Sequence, residues 1–89
     1  VYVSVDIDAV DPRFAPGTGH PVPGGLEVAK LAELAGVIAA HRPLVGLDLM
    51  EVNPLLDLDG ITSEAGARIL ATVLAALALR NAPAASVAA

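Results

Sequence analysis

The chain has 89 residues, enough for one domain at most, and a domain this short buries only a modest share of its surface. Its formal net charge is −5 and it has no Lys/Arg stripe to neutralise phosphates, which argues against nucleic acid as a partner. Cysteine is absent, which excludes disulfides and thiolate metal sites and fits a cytoplasmic location.

Residues 1–8 form the first predicted strand. Val1, Val3, Val5 and Ile7 fall on one face, and Tyr2, Ser4, Asp6 and Asp8 on the other. The chain opens inside this strand without an initiator Met, so a fragment of a longer protein is expected. Two carboxylates about 4 Å apart repel by roughly 4 kcal/mol at an effective dielectric near 20. A divalent cation relieves that cost, because carboxylates are natural ligands for Mn, Mg or Zn. The plain alternative is a solvated face of an edge strand.

Residues 9–25 are a loop dense in Pro and Gly, so its path is tightly specified. Asp11, just before Pro12, reads as a turn cap, and Ser4 as a local hydrogen-bonding residue. The loop glycines permit tight turns; no phosphate-cradling glycine pattern follows a strand. Residues 26–41 form a predicted helix with Leu31, Leu34 and Ile38 on its apolar stripe and Glu27, Lys30 and Glu33 off it. His41 and Arg42 complement its C-terminus.

Residues 44–51 form a second strand between Pro43 and Pro54, ending at Glu51. A turn through Asp57, Asp59 and Gly60 leads to Thr62 or Ser63 as the N-cap of a second helix. That helix runs to about Arg80 and buries Ile69, Leu70, Val73, Leu74 and Leu77. Its apolar stretch, 69–79, falls short of the roughly 20 residues that span a bilayer, so no membrane is expected. Asn81-Ala82-Pro83 ends it, giving a domain over 1–81 and a disordered tail over 82–89.

The βαβα order implies α/β architecture, with two parallel strands joined by a right-handed crossover. Ligands of open α/β sheets bind outside the carboxyl ends of the strands. Asp6, Asp8 and Glu51 therefore share one crevice in this reading, although they are far apart in sequence.

Four motifs occur together: S-V-D-I-D-A-V-D-P from Ser4, A-P-G-T-G from Ala15, P-G-G-L from Pro23 and D-L-M-E-V-N-P from Asp48. In their order and spacing the chain resembles the C-terminal part of a ureohydrolase, the arginase/agmatinase family, over roughly residues 1–80. The resemblance implies part of a three-layer α-β-α sandwich with a doubly wound, mainly parallel sheet. It implies two manganese ions, with Asp6 bridging both and Asp8 binding one. It assigns Glu51 to the substrate guanidinium and places His20 at the pocket, where many arginases carry Thr. Asp48 is either a support for the site or a capping or solvated residue.

The implied reaction is hydrolysis of a guanidino small molecule by a dimanganese-activated hydroxide. V-P-G-G-L and Met50 lean toward arginase, hence L-arginine to L-ornithine and urea. Agmatinase, formimidoylglutamate hydrolase and a non-catalytic ureohydrolase module are the alternatives. A phosphoryl-transfer receiver-like domain shares the paired aspartates but needs a strand-end Lys that this chain lacks. The remaining metal ligands and the general acid are expected upstream, so no catalytic residue is assigned here and the isolated chain is expected to be inactive. The complete protein is expected to be a homo-oligomer.

Overall fold

In the computed structural model, residues 1–82 are described. Two strands, β1 (Tyr2–Asp6) and β2 (Gly46–Met50), alternate with two helices, α1 (Val28–His41) and α2 (Ile61–Arg80). The strands pair in parallel, with Tyr2 opposite Gly46 and Asp6 opposite Met50. The predicted βαβα order therefore holds. The expected tail at 82–89 falls, apart from Ala82, outside the described residues.

The first strand is shorter than predicted. It stops at Asp6, and Ile7–Ala9 turn into a single 3₁₀ turn. Asp6 causes this: its Oδ1 accepts from the Asp8 backbone N at 2.8 Å, a local bond that competes with the strand ladder. Asp6 and Asp8 are thus linked through a turn, side chain to backbone, and do not share a strand face.

Alternation does hold within β1 and β2. Val3, Val5, Leu47 and Leu49 face the helices, and Ile7, Val10, Ile69 and Val73 complete the centre of the core. The helical faces differ from the predicted stripes. Helix α1 buries Ala32, Ala35, Gly36 and Ala39, whereas Leu34 is 46% and Ile38 41% exposed. Small residues win here because the helices pack closely: a Cβ on Gly36 would lie 3.3 Å from Thr72 Cγ2. Helix α2 buries Ala65, Gly66, Ile69 and Val73 but leaves Leu74 60% exposed. A Cβ on Gly66 would sit 2.5 Å from Leu49 Cδ2, so α2 also lies tight against β2.

At 20 residues, α2 is long and apolar enough to cross a membrane by length and composition, which corrects the shortfall inferred from 69–79 alone. The helix begins eight residues earlier, at Ile61, and its many alanines count as apolar. Its buried face is built into the core with β1 and α1. At its end the Arg80 guanidinium donates to the carbonyls of Ala39 and Arg42, tying α2 to the C-terminus of α1. Of the three expected layers, the described residues hold two, the sheet and one helical layer. The other sheet face presents Tyr2, Ser4, Asp6, Asp48 and Met50.

Candidate metal and guanidinium site

The site lies at the carboxyl ends of β1 and β2. Met50 pairs with Asp6, so Glu51 leaves β2 one residue beyond the partner of Asp6. Glu51 has φ +74° and is the one non-glycine residue with positive φ among the described residues. The left-handed conformation costs an L-residue about 1–2 kcal/mol, and such strain concentrates at functional positions. Nothing in the sequence signalled it.

Each of the paired aspartates has one carboxylate oxygen fixed by the protein. Asp6 Oδ1 accepts from Asp8 N, and Asp8 Oδ1 accepts from the Thr18 hydroxyl. Among the described residues no Lys or Arg forms an ion pair with either carboxylate. The other oxygen of each accepts no hydrogen bond from the described residues, and hard anionic oxygens of this kind fit a divalent cation. Among the described residues no third His, Asp or Glu joins them, so the pair is less than a full ligand set.

The Pro/Gly loop is fastened at its base and at its tip. At the base, Leu26 N donates to Ala9 O at 2.8 Å and Asp11 N to Leu26 O at 2.9 Å. Asp11 caps the turn as predicted and also spans it. Its Oδ1 accepts from Arg13 N and Nε at 2.9 and 3.1 Å, and its Oδ2 accepts from Gly24 N at 3.0 Å. The Arg13 backbone bond holds the Asp11 carboxyl below the usual carboxylate range, with burial opposing.

At the tip, Gly17 N donates to Thr62 Oγ1 and Asn53 N donates to Gly17 O, both at 2.8 Å. Gly17 thus joins the loop after β1 to the loop after β2 and to the start of α2. Only glycine fits there, because a Cβ would lie 2.7 Å from Asp57 Cβ.

The cap of α2 corrects the sequence reading. The N-cap position is Gly60, in the left-handed conformation, and neither Thr62 nor Ser63 occupies it. Asp57 does the capping from outside the helix. Its carboxylate accepts from Thr62 N (2.9 Å), Ser63 N (2.8 Å) and Ser63 Oγ (2.6 Å). The Ser63 hydroxyl leads in holding the Asp57 carboxyl low, again against burial.

Asp48 is neither a helix cap nor merely solvated: Tyr2 OH and Ser4 Oγ donate to it at 2.9 and 2.6 Å. Ser4 therefore bonds across strands, not locally. The hydrogen bond and the charge of Asp48 raise the Tyr2 phenol pKa. His20 is exposed on the loop, two residues beyond Thr18, and no hydrogen bond joins it to Asp6, Asp8 or Glu51. Sequence reasoning missed Gly17, Thr18 and Asp57. The first two lie in the A-P-G-T-G motif, which was the available signal; Asp57 had none beyond its turn.

Residues 1–76 match the model of the Arginase family. Proclavaminate amidinohydrolase of Streptomyces clavuligerus is 55% identical over 74 residues, covering 79% of this chain and 23% of that protein. Its solved structure superposes with a TM-score of 0.83 at 49% identity, over 91% of this chain and 27% of that one. Agmatinase of Proteus mirabilis is 49% identical over 76 residues, 83% of this chain and 24% of that protein. Arginase of Bacillus subtilis superposes with a TM-score of 0.76 at 30% identity, over 83% of this chain and 25% of that one. The chain thus spans about a quarter of the length of these relatives.

Proposed function

The chain belongs to the Arginase family, and from that premise we propose that the complete protein hydrolyses a guanidino compound to urea and an amine, with this chain supplying part of the active site. The observation that carries the reading is that Asp6 ends β1 opposite Met50 of β2, with Asp8 and Glu51 following just beyond the carboxyl ends of these two parallel strands. Asp6 and Asp8 would help to hold two manganese ions. When bound, such ions act as Lewis acids and lower the pKa of a bound water.

Glu51 has a separate task. Its carboxylate would accept two parallel N–H bonds from the planar guanidinium fork, which orients the carbon to be attacked. The strained backbone at Glu51 fits a side chain aimed by its surroundings, not by its own preference. His20 would line the entrance and face the far end of the substrate. The same reading takes the complete protein as a cytoplasmic homo-oligomer.

L-Arginine is supported by V-P-G-G-L and Met50. A second reading, a guanidino compound other than arginine, is favoured by superposition identities of 49% to proclavaminate amidinohydrolase and 39% to an agmatinase structure against 30% to an arginase. Urea release from arginine, agmatine and 4-guanidinobutyrate separates the two. Glu51→Gln should keep its manganese and lose the preferred substrate. Breaking a desolvated charge pair costs about 3–5 kcal/mol, a loss of roughly 100-fold or more in kcat/KM. Near-normal kinetics on all three compounds would make Glu51 a bystander; loss of manganese would make it a ligand.

A further inference from the structure

We propose that Thr18 is a positioning residue for the metal ligand Asp8: its hydroxyl holds one carboxylate oxygen of Asp8 so that the other faces the metal. The inference rests on the assignment of Asp8 to manganese made above. It concerns a residue whose side chain contacts no substrate in that assignment.

Three observations carry it. First, the Thr18 side chain is built into the protein, at 3% exposure, and its hydroxyl donates to Asp8 Oδ1. A buried hydroxyl must find a partner or pay a desolvation cost, and the partner here is a charged oxygen, which makes the stronger kind of bond. Second, the Thr18 backbone cannot drift. Its N donates to Pro16 O at 2.9 Å. The preceding residue is pinned on both sides, by Thr62 Oγ1 at Gly17 N and by Asn53 N at Gly17 O. Thr62 is itself held by the Asp57 carboxylate through its backbone N. Third, Asp8 needs an outside support more than Asp6 does. It stands in a single 3₁₀ turn beyond the end of the ladder, whereas Asp6 is the last residue of a paired strand.

A path of hydrogen bonds and the covalent Gly17–Thr18 link therefore reaches from the N-terminus of α2, through the loop tip, to the carboxylate that the turn alone would leave free to rotate. Partners that orient a metal ligand in this way typically affect metal affinity 10–100-fold when removed.

Calorimetric titration of the metal-free complete protein with Mn²⁺ tests the inference without reference to turnover. The variants are Thr18→Val, Thr18→Ala and Thr18→Ser, with Asp8→Asn for comparison. Val and Ala should weaken binding about 10–100-fold, and Ser, which keeps the hydroxyl and drops the methyl, should bind close to wild type. Wild-type affinity in Val and Ala would overturn the inference, and so would a Ser variant as weak as Ala, because packing and not the hydroxyl would then matter. If Val fails to fold, the Ala and Ser pair decides. A wild-type protein that binds Mn²⁺ no better than Asp8→Asn would remove the metal assignment itself, and the role of Thr18 with it.

Discussion

Glu51 sits at φ +74° at the end of β2. Glycine adopts that conformation freely, so Glu51→Gly should relieve a cost of about 1–2 kcal/mol, less the 0.5–1 kcal/mol or so that glycine loses in chain entropy. The Gly variant is therefore expected to be more stable than Glu51→Gln by about 1 kcal/mol in denaturant unfolding. Both should lose guanidinium binding. Stability equal to or below that of the Gln variant would mean that the conformation carries no strain. Gly17 makes the opposite case. A methyl there meets Asp57 Cβ at 2.7 Å and Thr62 Oγ1 at 2.9 Å. Gly17→Ala should destabilise by about 1–3 kcal/mol through overpacking. Because Thr18 rides on the same peptide, the loss should be accompanied by weaker manganese binding. A Gly17→Ala protein with unchanged unfolding midpoint would show that the loop tip yields easily.

At the scale of elements, the start of α2 and the base of the Pro/Gly loop each depend on one low-pKa carboxylate. The hydrogen bonds of Asp57 and of Asp11 favour their charged forms. Each contribution is fully present above the ordinary aspartate pKa of about 3.9. Each is lost as the pH falls below that value and through the depressed folded-state pKa. Denaturant unfolding of the complete protein from pH 7 down to pH 3 should show falling stability, and Asp57→Asn should flatten part of the fall while lowering stability at neutral pH. An unchanged pH profile in Asp57→Asn would remove the carboxylate from the cap.

The same elements show what was legible beforehand. The Val3/Val5 alternation, the two helices and the Asp11 cap could be read because each is a local pattern. The capping of α2 could not, because Asp57 reaches Thr62 and Ser63 across a turn while the N-cap position itself is Gly60. Of the stripe expected on α1, Leu31 packs against the core, whereas Leu34 and Ile38 are largely exposed. Apolar periodicity ranks residues by size, whereas a close helix–helix approach selects Ala32, Ala35, Gly36 and Ala39. The expected common strand face of Asp6 and Asp8 is not formed, because a 3₁₀ turn capped by Asp6 replaces the strand alternation.

At the scale of the whole molecule, the site is shared. The chain spans about a quarter of its relatives' length and supplies two carboxylates, Asp6 and Asp8, to the proposed metal site, and no group of three or more His, Cys, Asp or Glu residues able to hold a metal occurs among the described residues. The isolated chain should therefore release no urea from arginine or agmatine with added Mn²⁺, since an incomplete ligand set holds metal weakly. Turnover near the enzyme median of about 10 per second would contradict this. In the complete protein, manganese content after purification bears most directly on the account. Wild type should carry two equivalents, and Asp6→Asn, which removes a proposed ligand, should lose metal and activity together. Two full equivalents of manganese in Asp6→Asn would contradict the assignment on which the proposed chemistry stands.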